Sequence, residues 1–118
     1  AAVVAVFAEV EKRGLLNEAK RVEKTLKPAL LNLQAKHPVI GDVRGMGAML
    51  AIEFVDPATG KPAPEIAKAV QTHALHAGVL ILTAGTFGNV LRFLPPVVIT
   101  DDQLLEAVSV MDDALASL

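Results

Sequence analysis

Along this sequence, segments whose apolar residues recur at helical spacing alternate with three short apolar runs that are bounded by glycine or proline. The apolar runs Ala48–Val55, Val79–Leu82 and Val90–Leu94 have the length and composition of β-strands. With the helical segments they give the order helix, helix, strand, helix, strand, strand, helix. This order predicts an α/β fold of the α+β kind, a two-layer sandwich whose small mixed or antiparallel sheet is covered by helices.

Local signals place the ends of four helices. The first helix ends near Gly14, and the second spans Asn17–Lys36, because the residue before Pro38 avoids the helical region. The third runs over Pro64–Ala77, since proline suits a first turn. Thr100–Gln103 is typical of a capping box at the start of the last helix.

Composition excludes several classes of protein. The 118 residues are 53% hydrophobic, with a mean hydropathy of +0.47. No apolar stretch reaches the roughly 18 to 20 residues of a membrane helix, so the excess apolar surface indicates a partner interface. A net charge of −2 gives no sign of nucleic-acid or membrane binding, and the absence of cysteine excludes disulfides and thiolate chemistry. Because the chain opens on Ala1 without a basic leader, we expect a fragment of a longer cytoplasmic protein.

The run Val39–Gly47 (VIGDVRGMG) has three glycines in seven positions. It faintly resembles a phosphate loop, but it lacks the lysine and the strand-before-helix context of one. We therefore interpret its glycines as allowing a close approach of the backbone to the strand that follows. Arg44, within this run, is expected to pair with Asp42, with Glu53 or with another part of a larger protein.

The reactive side chains form no complete catalytic apparatus. His73 and His76 are three apart on one predicted helix, a spacing known from metal sites, but no cysteine or carboxylate converges on them and solvated histidines are expected. Asp101 and Asp102 are interpreted as helix-capping residues. None of the seven lysines lies in the apolar setting that suits Schiff-base chemistry. We assign no catalytic, cofactor-binding or metal-ligating residue to this chain.

Arg92 is the one charged residue between Val90 and Ile99. Its guanidinium cannot lose a proton, so burial among these apolar neighbours would require a matching anion. The planar fork fits a carboxylate or phosphate through two parallel hydrogen bonds. That anion belongs either to the protein, with Glu53 as the candidate, or to a ligand. The loop Thr83–Asn89 favours a ligand, because its glycines and small polar residues provide a flexible rim beside the arginine.

Two segments closely resemble the C-terminal region of class III aminotransferases. They are VIGDVRGMGAMLAIEFVDPATGKP, from Val39, and AGVLILTAGTFGNVLRFLPPVVITDDQL, from Ala77. The similarity covers essentially the whole chain and is greatest toward the bacterial 4-aminobutyrate (GABA) type. Its most specific part is Gly85–Pro96, in which a glycine loop, NVLR and an apolar-proline stretch follow one another in the family's order.

The resemblance implies the small C-terminal domain of a fold-type I pyridoxal-phosphate enzyme, usually a homodimer or a dimer of dimers with active sites at the subunit interface. It implies that residues 1–37 are the helical segment linking a large and a small domain, and that residues 38–118 are the small domain. The family's cofactor lysine, its aspartate at the pyridine nitrogen and most of its phosphate contacts belong to the large domain. None of those motifs occurs here, so the fragment alone is expected to be inactive.

The resemblance also implies a role for Arg92. The family's arginine within NVLR binds the α-carboxylate of 2-oxoglutarate or glutamate, and that role maps onto Arg92 alone. The implied reaction is a ping-pong transfer of an amino group from 4-aminobutyrate, or a similar ω-amino acid, to 2-oxoglutarate. Two alternatives stay open. One is the same domain of another class III enzyme, acting on ornithine, acetylornithine or diaminobutyrate; the other is a stand-alone α/β module that binds an anionic effector or takes part in assembly.

Overall fold

The computed structural model describes all 118 residues as four helices and one four-stranded sheet. The helices are α1 (Ala2–Lys12), α2 (Leu15–Lys36), α3 (Pro64–His76) and α4 (Asp101–Ala116). The strands are β1 (Ile40–Met46), β2 (Met49–Phe54), β3 (Leu82–Ala84) and β4 (Val90–Phe93). All strand pairs are antiparallel, in the order β1-β2-β4-β3. The predicted α+β class is confirmed, and of the two predicted kinds of sheet the antiparallel one is observed.

Two predictions about the strands are wrong. The run Val39–Gly47 is more than a lead into a strand, because most of it forms β1 and pairs with β2 along its length. The strand predicted at Val79–Leu82 begins only at Leu82. The residues before it are bound to α3 instead of to the sheet: Val79 N donates to Ala74 O at 2.8 Å, and the Gln71 side chain donates to Ile81 O at 2.9 Å.

The close approach expected of the glycine run is confirmed at Gly45. This residue has a φ of +122°, and a Cβ built on it would lie 2.2 Å from the carbonyl oxygen of Met49. Such a contact is far below any real non-bonded distance. Only glycine therefore allows β1 to lie this close to β2.

The hydrophobic core lies between one face of the sheet and helices α2 and α3, and α4 packs against these two helices and adds its buried side chains to the core. The strands contribute the buried side chains Leu50, Ile52, Phe54, Leu91 and Phe93. α4 begins with the predicted capping box, in which Gln103 N donates to Thr100 Oγ1 at 3.2 Å and Thr100 N donates to Gln103 Oε1 at 3.1 Å. None of the four helices combines the length and the apolar composition that crossing a membrane requires.

Two surfaces of the chain have no other part of the chain packed against them. α1 buries none of its residues, and Phe7 is 68% exposed. The face of the sheet turned away from the core has no helix on it, and Met46 and Leu82 are exposed there. We call this second surface the open face. By the strand register it consists of Asp42, Arg44, Met46, Met49, Ala51, Glu53, Leu82, Ala84, Val90 and Arg92.

Candidate functional site

Arg92 lies on the open face of the sheet. In the register of β4 it is opposite Ala51 of β2 and Leu82 of β3, and residues directly opposite each other share a face. Its neighbours Leu91 and Phe93 point the other way, into the core. Arg92 itself is exposed, so the burial that its apolar neighbours suggested is wrong. The alternation of a β-strand separates it from them.

The in-chain anion proposed for Arg92 is bound to another arginine. Arg44 Nη1 donates to Glu53 Oε2 at 2.7 Å and to Asp42 Oδ2 at 2.8 Å. The bonds to Asp42 and then to Glu53 raise the pKa of Arg44 above its ordinary value. The predicted pairing of Arg44 is thereby confirmed. Arg92 takes part in no ion pair or hydrogen bond with any side chain of this chain.

The loop Gly85–Asn89 joins β3 to β4, and Val90 and Leu91 separate it from Arg92. Gly85 and Gly88 both have positive φ, at 82° and 66°, and Gly88 N donates to Gly85 O at 3.1 Å. A Cβ at Gly85 would lie 2.9 Å from the side chain of Val90, which is two residues before Arg92 on the same face. The turn therefore lies against Val90, at the end of the β3–β4 hairpin, and Phe87 is exposed within the loop.

Asn89 is a residue of the site that the sequence analysis did not single out. Its side chain is the one polar side chain in the buried set, at 2% exposure. Asn89 Nδ2 donates to Phe54 O at 2.9 Å, and Phe54 N donates to Asn89 O at 2.8 Å. These two bonds hold the start of β4 against the end of β2. In the sequence, the feature that could have identified Asn89 is its position as a polar residue between a glycine turn and a buried strand.

The lysines of this chain do not suit a Schiff base with pyridoxal phosphate. Six of its lysines are exposed, and Lys27 is bound to Gly45 O at 3.1 Å and lies 3.6 Å from Glu23. None lies in the apolar pocket in which a Schiff-base lysine works. His73 and His76 are exposed on α3, as expected of solvated histidines, and no group of three or more His, Cys, Asp or Glu side chains is placed to hold a metal ion.

Two clefts of about 550 and 440 Å³ lie elsewhere, near the C-terminal end of α4. The larger is lined by His73 and His76, and the smaller by His37 and Glu65. Arg92 lines neither of them. Because Arg92 is exposed on the open face, a ligand bound there would remain largely in water unless another part of a protein covered it.

Comparison with known proteins assigns the family. Residues 1–115 match the model of the family described as "Aminotransferase class-III". The chain belongs to the class III aminotransferase family.

The relatives of this chain are longer than it is. The chain is 43% identical over 115 residues to a 4-aminobutyrate aminotransferase of Mycobacterium leprae (strain TN), covering 98% of this chain and 26% of the relative. It is 41% identical over 119 residues to a 5-aminovalerate aminotransferase of Pseudomonas aeruginosa, covering 100% and 28%. Among solved structures, a phospholyase from Arthrobacter in complex with phosphoethanolamine has a TM-score of 0.90 and 28% identity, covering 98% of this chain and 28% of that one.

Proposed function

We propose that this chain is the small C-terminal domain of a pyridoxal-phosphate-dependent aminotransferase that moves an amino group from an ω-amino acid to 2-oxoglutarate. The observation that carries the proposal is the exposed, unpaired Arg92 on the open face, within the segment of the chain that resembles the family most specifically. Both curated relatives named above are called after ω-amino acids, 4-aminobutyrate and 5-aminovalerate. These two compounds are the amine donors we favour.

In this proposal Arg92 binds the α-carboxylate of 2-oxoglutarate or glutamate. A guanidinium fork and a carboxylate make two parallel hydrogen bonds, which fix the orientation of the substrate as well as its position. Held in that way, the α-carbon is kept in one geometry relative to the reacting group of the cofactor, which lowers the entropic part of the barrier. The turn Gly85–Gly88, which precedes Arg92 closely in the chain, would limit the directions from which the carboxylate can approach.

The remainder of a longer polypeptide is the partner that we propose for this chain. Support comes from the uncovered α1, from the apolar side chains of the open face, and from the chain spanning 26% to 28% of the relatives. Covering the open face would exclude water from Arg92 and strengthen its attraction for a carboxylate. The division into a linking segment, 1–37, and a small domain, 38–118, is part of this proposal. So are a homodimer or dimer of dimers and a location in the cytoplasm.

Pyridoxal phosphate is proposed to bind outside this chain, because the lysines here do not suit it. When bound, such a cofactor supplies the electron sink of the reaction, whereas the protein supplies orientation and proton transfer. The 118-residue chain alone is therefore expected to show neither cofactor absorbance nor glutamate formation.

The experiment that tests the proposal measures glutamate formation from 2-oxoglutarate by the full-length protein that carries this chain. The amine panel contains 4-aminobutyrate, 5-aminovalerate, ornithine, acetylornithine and diaminobutyrate. We expect the highest kcat/KM with 4-aminobutyrate or 5-aminovalerate. A preference for one of the other amines would assign another class III substrate, and no glutamate with any amine would overturn the proposal. Tight binding of 2-oxoglutarate to the isolated chain, measured by calorimetry, would favour a stand-alone anion-binding module instead.

A further inference from the structure

Arg44, Ala51 and Arg92 form one row across three adjacent strands of the open face. Ala51 is opposite Arg44 on one side and opposite Arg92 on the other. Neighbouring strands are about 4.8 Å apart, so the two arginines flank a small residue with about 10 Å between their backbones. Glu53 is two residues beyond Ala51 on the same face of β2. It is therefore diagonal to both arginines, a separation of about 7 to 8 Å that long side chains can span.

By position Glu53 is thus within reach of either arginine; its Oε2 accepts from Arg44 Nη1, and its Oε1 accepts from Asn89 Nδ2 at 3.4 Å. Asp42 is directly opposite Glu53 in the register, so two negative charges face each other at this point. Like charges directly opposite each other are destabilising. The guanidinium of Arg44 lies between them and donates to both, at 2.8 and 2.7 Å. With side-chain exposures of 48% for Arg44 and 33% for Glu53, these bonds are partly in water and contribute little to stability.

We infer that Arg44 is a positioning residue whose ion pair with Glu53 keeps this carboxylate away from Arg92 and leaves Arg92 free for an anionic substrate. The inference rests on the proposed role of Arg92 in binding 2-oxoglutarate. Without Arg44, Asp42 repels Glu53 and the nearest cation left for Glu53 on this face is Arg92. The substrate carboxylate must then displace an internal one.

The test uses the full-length protein and three variants: Arg44→Met, Glu53→Gln, and the two combined. An exposed ion pair is worth enough to weaken a competing ligand about two- to fivefold. Arg44→Met should therefore raise KM for 2-oxoglutarate by this factor, with a smaller change in the half-reaction with the amine donor. Adding Glu53→Gln removes the competing charge and should restore KM. Glu53→Gln alone should leave KM for 2-oxoglutarate near that of the parent protein.

A structural defect and the inferred competition give different results in this series. Glu53→Gln replaces none of the contacts that Arg44→Met removes, so a purely structural loss is not restored in the double variant. Arg21→Met is the matched control, because Arg21 also bridges two carboxylates, Glu18 and Asp101, but it does so from α2. It should change stability without a selective rise in KM for 2-oxoglutarate.

The outcomes separate this inference from the proposed function. If Arg92→Gln impairs the use of 2-oxoglutarate but Arg44→Met does not raise KM, the inference alone is wrong. The inference alone is also wrong if Arg44→Met raises KM for 2-oxoglutarate but the addition of Glu53→Gln does not restore it. If Arg92→Gln leaves the use of 2-oxoglutarate unchanged, both the role of Arg92 and the inference built on it are overturned.

Discussion

The side-chain amide of Asn89 donates to the carbonyl oxygen of Phe54 at 2.9 Å, at the point where β4 meets β2. A carbonyl oxygen can only accept, so the nitrogen of the amide must face it. The backbone of the same two residues adds a second bond at 2.8 Å, from Phe54 N to Asn89 O. Because Arg92 is three residues further along, the register of the candidate site depends on this pair.

Replacing Asn89 by aspartate should destabilise the protein by about 1 to 3 kcal/mol. A carboxylate oxygen would then face the Phe54 carbonyl oxygen, with the Glu53 carboxylate nearby. Urea denaturation measures the free energy of unfolding. Asn32→Asp, the same change at an exposed position of α2, is the control and should stay within about 0.5 kcal/mol. Equal effects of the two changes would contradict the role given to Asn89.

Gly45→Ala should destabilise the protein more than Gly60→Ala does. Both glycines have positive φ, at 122° and 70°, so both substitutions carry backbone strain of about 1 to 3 kcal/mol. A Cβ at Gly45 also meets the backbone of Met49, whereas at Gly60 nothing lies within 4 Å. Thermal or urea unfolding of the two variants measures the difference. A Gly45→Ala variant as stable as Gly60→Ala would refute the close approach of β1 to β2.

Asp112 should make stability depend on pH in the acid range. Its Oδ1 lies 2.6 Å from His37 Nε2, and Lys36 Nζ donates to its Oδ2 at 2.6 Å. These bonds, that of His37 first, lower the pKa of Asp112 below its ordinary value of 3.8. A lowered carboxyl pKa stabilises the folded state above the unfolded value, and this contribution is lost as pH falls through the folded one.

The measurement for Asp112 is the free energy of unfolding of the parent protein and of Asp112→Asn from pH 6 to pH 2. The parent should be the more stable at pH 6, and its advantage should shrink below about pH 3.8. Asp113→Asn, at the neighbouring exposed position without an ion pair, is the control. An advantage that stays constant to pH 2 would refute the contribution of the Asp112 cluster.

Phe7→Gln should have different effects in the chain alone and in the full-length protein. α1 buries none of its residues in this chain, so the change should alter the free energy of unfolding of the 118 residues by less than about 0.5 kcal/mol. In the full-length protein the same change should lower Tm, because the remainder of the polypeptide is proposed to cover this helix. Equal Tm values for the parent and the variant full-length proteins would count against that cover.

Most of the fold could be predicted because its elements carry local signals. The capping box of α4 and the proline that opens α3 act within a few residues, and the apolar run of β4 is bounded on both sides. β1 was missed because its two glycines, Gly41 and Gly45, give a strand little intrinsic preference, so that it forms through its pairing with β2. β3 was misplaced because Val79 and Ile81 are held by α3, a contact that local pattern does not reveal.

Less of the candidate site could be predicted. Arg92 stood out in the sequence as a lone charge in an apolar run beside a glycine loop. Its exposure follows from the alternation of side chains along β4. Its position in one row with Arg44, and the ion pair of Arg44 with Glu53, depend on which residues of different strands are opposite each other. A single sequence carries no direct record of that register. The bonds between Asn89 and Phe54 were hidden for the same reason.

The most direct test of the central claim is Arg92→Lys in the full-length protein, with the two half-reactions measured separately. Lysine keeps the charge but loses the two parallel hydrogen bonds of the guanidinium. We predict that kcat/KM for 2-oxoglutarate falls tenfold or more, at about 1.4 kcal/mol for each factor of ten, while the half-reaction with the amine donor falls less. An equal loss in both half-reactions, or no loss with 2-oxoglutarate, would contradict the assignment of Arg92 as the substrate-carboxylate site.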